Sequence, residues 1–211
     1  MPYVFKALTP TGKSQFECEL ECQQCIAKSK TGGRCLRRVC IGVPYCWQHL
    51  RISRHLKITE SGFLKTLHHK GRGLYAYGDP NSIVFKKGAE VASYSPAEFM
   101  SKTGIDKRYD YSVNGKRMEP TAPYGLRVSQ KMYLDNACVR SVATNANSVS
   151  NRAERVRANV RIRCGIRNTC YLIANRDIRG GEEIITDYGD DYWGGPQLSI
   201  STRYQRIRKR P

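Results

Sequence analysis

Three cysteines and a histidine near the N-terminus constrain this chain more than any other feature. Cys25, Cys35, Cys46 and His49 are spaced C-x9-C-x10-C-x2-H. Zinc prefers four tetrahedral thiolate and imidazole ligands, and a closed set of four makes a structural rather than a catalytic site. The residues between the ligands suit that reading. Lys30-Thr-Gly-Gly-Arg is a turn that folds the chain back and brings Cys35 towards Cys25. Gly42-Val-Pro-Tyr turns it again before Cys46 and His49. A segment of roughly 25 residues cannot build a stable core alone, so metal would supply its folding free energy. The alternative is a set of free thiols with His49 on the surface.

Six of the nine cysteines lie between Cys18 and Cys46. In a chain whose start lacks a basic-then-apolar leader, such clustering closed by a histidine suggests metal before disulfides. Cys18, Cys22 and Cys40 fit no ligand set and read as buried thiols, or else as a second, incomplete site.

Charge narrows the partners. Lys and Arg total 36 against 18 acids, a net charge of +18. Residues 25–75 hold eleven Lys or Arg and one acid, Glu60, and Arg203 to Arg210 holds five bases and no acid. Such an excess favours polyanions, nucleic acid first, and its plain alternative is a solubilising surface. Asp177, Glu182, Glu183, Asp187, Asp190 and Asp191 form an acidic stretch. No apolar run approaches the length of a bilayer span, so the expectation is a soluble, intracellular protein with no membrane partner.

Along the chain we divide an N-terminal segment 1–17, a zinc-binding module with a basic connector 18–57, a larger domain 58–195 and a basic tail 196–211. The first segment reads as an edge strand, and Arg51 to Lys57 is the connector. From about Thr59, short apolar stretches are broken by Gly, Pro, Asn and Asp, the pattern of short strands joined by tight turns. Ser95-Pro-Ala-Glu predicts a helix start with Glu98 closing a capping box, and 136–146 is a second helical candidate. The fold class is mainly β with short helices.

Four segments, in order, resemble the SET domain of protein-lysine methyltransferases. Lys70-Gly-Arg-Gly-Leu-Tyr-Ala is similar to the family's G-x-G segment, and Lys87-Gly-Ala-Glu-Val-Ala-Ser-Tyr to its second. Tyr133-Leu-Asp-Asn-Ala and then Ser141-Val-Ala-Thr-Asn-Ala-Asn-Ser resemble the third, which places Asn147 and Ser148 on the family's Asn-His pair. Ala174-Asn-Arg-Asp-Ile-Arg-Gly-Gly-Glu-Glu-Ile-Ile-Thr-Asp-Tyr-Gly resembles the fourth almost position for position. Cys25 to His49 looks like a short zinc motif of assorted viral and bacterial proteins, and the combination is similar to SET proteins of large DNA viruses.

The resemblance implies small sheets around a knot-like core, with S-adenosylmethionine as methyl donor and a lysine in histones or similar basic proteins as acceptor. Tyr188 takes the catalytic tyrosine's place. Gly71, Arg72, Gly73, Asn147, Ser148 and Trp193 take cofactor-binding places. Asn159 falls on the asparagine that follows the third segment. Tyr109, Tyr111 and Tyr192 are candidates for the lysine channel, and the acidic stretch for attraction of a basic peptide. Thr186 stands where the family's Phe or Tyr tunes methyl number, and Ser148 replaces a histidine. Those departures support a competing reading, a catalytically inactive SET-like protein that binds DNA or chromatin, in a virion among other settings. In a third reading the basic surface docks an active enzyme on nucleosomal DNA. If viral, the protein belongs in the host nucleus, a viral factory or the virion.

Overall fold

A computed structural model of the chain describes residues 3–8, 14–20, 22–39, 43–66, 71–109, 111–113, 116–118, 124–149, 152–165, 168–189 and 205–206. The protein is mainly β, in several small sheets with few short helices. Val, Ile, Leu and Tyr between turn residues become strands at Arg72–Ala76, Ile83–Phe85, Glu90–Ser93, Val160–Cys164 and Cys170–Ala174. The last two form a hairpin, and Cys170–Ala174 also pairs with Glu90–Ser93. Leu56–Glu60 pairs with Arg72–Ala76, and Ile83–Phe85 with Ile178–Arg179. Between these layers Leu56, Leu74, Val91, Leu134, Val160, Leu172, Ile178 and Ile184 form the main core. Strands of three to five residues each bury little, so the fold depends on alternate residues of many strands reaching one core.

Three local expectations give way to tertiary pairing. Ser95-Pro-Ala-Glu starts no helix. Glu98 opens the strand Glu98–Ser101, which pairs with Met132–Asp135. The helix begins later, at Lys102–Tyr109, where the Gly104 amide donates to Ser101 Oγ at 3.1 Å. Residues 136–146 hold only a 3-10 turn, Ala143–Asn145. The buried Asn136 side chain bonds loop carbonyls there, donating to Tyr94, Pro96 and Val139. The N-terminal strand is not an edge: Tyr3–Leu8 lies between Ser14–Leu20 and Gln205–Arg206.

The cysteines need a correction as well. Cys18 is disulfide-bonded to Cys138, and Cys164 to Cys170 across their hairpin, where the two face each other in register. Cys22 is also disulfide-bonded, and Cys40 lies outside the described residues. Cys18 meets Cys138 because the strand Ser14–Leu20 packs on the helix Lys102–Tyr109, with Phe16 edge-on to Tyr109 at 5.8 Å.

Under that contact sits Asp135, fully buried. It accepts hydrogen bonds from Arg108 at 2.8 Å, from the Tyr109 hydroxyl at 2.9 Å and from the Ala137 amide at 2.9 Å. Removing the carboxylate strands a phenol and an amide and leaves Glu98 as the remaining carboxylate partner of Arg108. Asp135→Ala is expected to cost about 3 kcal/mol or more in chemical denaturation, where deleting an exposed carboxylate such as Glu19 stays within about 0.5 kcal/mol.

Candidate functional site

The four predicted zinc ligands are assembled by short-range structure. Gly32, with φ of +85°, sits in the turn where Ser29 and Gly33 close on each other at 2.6 Å. Strands Gln23–Gln24 and Arg38–Val39 then pair, and the Cys35 amide donates to Ala27 O at 2.8 Å. Cys46 is the N-cap of the helix Trp47–Arg54, so His49 lies one turn along the same face. The ligand atoms of Cys25, Cys35, Cys46 and His49 all lie within 4.8 Å of one another. The Cys25 and Cys46 sulfurs stand 3.6 and 3.3 Å from His49 Nδ1. A tetrahedron with Zn–S of about 2.3 Å and Zn–N of about 2.0–2.1 Å has sulfur–nitrogen edges of about 3.6 Å. The residues therefore fit zinc, held by three thiolates and Nδ1 in a closed, structural set. All three cysteines are buried, and the basic run after His49 is helix end and strand start, Leu56 being fully buried.

A second convergence lies in the larger domain. Asn147–Val149 pairs in parallel with Ile185–Asp187, which joins the third and fourth of the sequence segments. Residues just before Ile185 run along the first: Ile184 donates to Leu74 O at 2.7 Å, and Ala76 to Glu182 O at 2.9 Å. Buried Asn159 stitches the same stretch, its Nδ2 donating to Glu183 O and its Oδ1 accepting from the Ile185 amide.

At the meeting point the Asn147 Nδ2 donates to Arg72 O at 3.0 Å and to Glu183 Oε1 at 2.9 Å. The Tyr188 hydroxyl donates to Ala146 O, and its amide to Ser148 Oγ, both at 2.9 Å. The Ser148 hydroxyl thus holds the backbone of Tyr188. Gly71 and Arg72 are exposed, and Gly73 is buried. A Cβ at Gly73 would collide with the Glu183 carboxylate and lie 3.2 Å from Asn147 Nδ2.

Glu183 is the residue that motif reading passed over. It accepts from Ser61 Oγ at 2.5 Å, the Phe63 amide at 2.9 Å, the Tyr75 hydroxyl at 2.8 Å and Asn147. Ser61 in turn accepts from the Leu64 amide at 2.9 Å, and Tyr75 from the Gly62 amide at 2.7 Å. Burial pushes the Tyr75 phenol above its ordinary pKa; the Gly62 amide pulls it back and Glu183 raises it again. The Glu-Glu pair was visible in sequence, but nothing local marks which of the two turns inward.

Other candidates land elsewhere. Tyr109 is fully buried against Asp135 and lines no channel, and burial lifts its phenol far above the usual range. Thr186 is fully buried, its hydroxyl without a partner. The described acids of the acidic stretch have internal partners: Glu182 bonds Arg176, Asp187 bonds Arg155, Asp177 accepts from the Lys87 amide, and Glu183 is spent as above. Burial would raise the Glu182 carboxyl, yet the Arg176 hydrogen bond and the Arg179 amide hold it below its ordinary value. Tyr192, Trp193, Asp190, Asp191 and the Tyr111 side chain lie outside the described residues.

No family model matches the chain. No curated protein matches it either. Solved structures do. Polycomb repressive complex 2 from Chaetomium thermophilum overlaps 68% of this chain at 20% identity with a TM-score of 0.46. The same complex bound to S-adenosylmethionine overlaps 69% at 18% identity and 0.45. The chain spans 16% of the length of either one. Overlap of this size assigns no activity.

Two expectations follow. Chelation should release one zinc per chain and melt the module, read by metal analysis and far-ultraviolet circular dichroism, and His49→Ala should reproduce the loss. Gly73→Ala should destabilise by about 1–3 kcal/mol through overpacking, and pairing it with Glu183→Ala should cost less than the sum of the two. Additive losses in that double-mutant cycle would separate the two residues.

Proposed function

We propose that this protein is an S-adenosylmethionine-dependent protein-lysine methyltransferase of the SET type, acting on histones or similar basic proteins. The observation that carries the reading is the parallel pairing of Asn147–Val149 with Ile185–Asp187. It gathers Gly73, Asn147 and Tyr188, residues drawn from three of the four resembling segments, around one point. Coincidental resemblance predicts no such meeting.

The cofactor supplies a sulfonium methyl group when bound. The chain's own residues do the rest. The backbone at Arg72 and Gly73 and the amide of Asn147 form the polar wall that takes the cofactor's amino-acid end. Glu183 fixes that amide's orientation, so little ordering remains at binding. The Tyr188 phenol, held by Ala146 O, would position the lysine amine for methyl transfer. Thr186, smaller than the Phe or Tyr at the matching position, is fully buried.

The inactive, chromatin-binding reading draws on one observation of its own. The space that Gly73 opens and the amide of Asn147 are both engaged by Glu183 within the chain. Calorimetric titration of zinc-loaded protein with S-adenosylmethionine decides between them. Micromolar binding abolished by Asn147→Ala, with radiolabel transfer to core histones reduced about a hundredfold or more by Tyr188→Phe, is expected. Absence of binding up to millimolar cofactor overturns the enzyme reading.

A further inference from the structure

On the face where the zinc module meets the larger domain lies a groove of about 410 Å³. Its rim carries Arg37, Arg38, Arg51, Lys57 and Arg72, with Trp47 on its wall. Among the described residues none of Arg37, Arg51, Lys57 and Arg72 is in a salt bridge. Five like charges gathered on one groove repel one another, and a bound anion would relieve the repulsion. The single acid of residues 25–75, Glu60, lies opposite Arg72 in the strand pair and does not line the groove.

The aromatic component is equally specific. Trp47 is 62% exposed, an uncommon state for so large an apolar ring. The Arg37 and Arg51 guanidinium carbons lie 5.3 and 5.2 Å from its centroid, and Arg51 also lies 5.3 Å from the centroid of Tyr77. The result is a run of planar groups, Arg37–Trp47–Arg51–Tyr77, with Lys57 continuing over the ring of Tyr75 at 5.6 Å. Planar faces interleaved with cations suit a chain of alternating flat bases and phosphates. A duplex hides its base faces, and an acidic peptide has no such faces to stack.

We propose that this groove binds single-stranded nucleic acid, its bases stacking on Trp47 and the neighbouring guanidinium planes and its phosphates meeting Arg37, Arg51, Lys57 and Arg72. The proposal is independent of the methyltransferase reading. It goes beyond net charge, because it assigns the contact to one face and leaves the 203–210 tail out of it. Arg72 lines the groove and its carbonyl accepts from Asn147, so a bound strand would pass beside the second convergence.

The test is fluorescence anisotropy of a labelled oligothymidylate about 20 nucleotides long, titrated with the zinc-loaded full chain. Trp47→Ala is expected to weaken binding about fivefold or more, and Arg37→Gln with Arg51→Gln about tenfold or more. The double variant should also flatten the slope of log K against log salt by about 1.4, the single-strand value for two lost phosphate contacts. Arg208→Ser, Lys209→Ser and Arg210→Ser together should leave the Trp47 dependence intact. Zinc content and the thermal midpoint of each variant establish that it folds. Binding that is unchanged by the Arg37 and Arg51 substitutions overturns the proposal. So does a silent Trp47→Ala with equal affinity for duplex, or displacement by polyglutamate as effective as by unlabelled strand.

Discussion

The carboxylate of Glu183 takes hydrogen bonds from a serine hydroxyl, a backbone amide, a tyrosine hydroxyl and an asparagine amide. Those donors come from three stretches of chain: the turn at Ser61 to Phe63, the strand Arg72–Ala76 and the strand Asn147–Val149. A hydrogen bond to a charged acceptor contributes about 1.5–3 kcal/mol, and a donor left behind when that acceptor goes costs a similar amount. Loss at this point is therefore felt in all three stretches at once. Small sheets with little area apiece need such a joint, since no extended ladder sets their mutual positions. The same carboxylate explains Gly73, where any side chain would displace it. A glycine that reads in sequence as a ligand approach is, in the fold, first a seat for an internal anion.

What could be read in advance followed from how far apart the interacting residues are. The zinc ligands span Cys25 to His49, and local turns and one helix register bring them together, so spacing alone described the site. Strands at 72–76, 160–164 and 170–174 were marked by flanking turn residues. The capping signature at Ser95 was equally clear and failed, because Glu98 gains more by pairing opposite Asp135 than by closing a helix. Local propensity is worth tenths of a kcal/mol per residue, and a ladder beside a buried charge network outweighs it. The Cys18–Cys138 bond spans 120 residues and leaves no mark in either local sequence. Tyr109 was drawn towards a channel only by being a tyrosine; its partner Asp135 lies 26 residues on.

The two centres are mechanically connected through a helix too short to stand alone. Trp47–Arg54 has eight residues, below the length at which isolated helices persist in water. It starts at the ligand Cys46, seats Leu50 in the main core, and ends at His55 in the left-handed conformation, where the His55 amide donates to Arg51 O. The His55 carbonyl accepts from Tyr77 at 2.7 Å, and the next strand registers Leu56 on Ala76 and Thr59 on Gly73. Metal held at one end of this helix would thus help define where the other end enters the sheet. The sheet in turn carries Gly73 and Tyr75 to Glu183. A closed zinc set would act on the distant convergence by this route, through the placement of one strand.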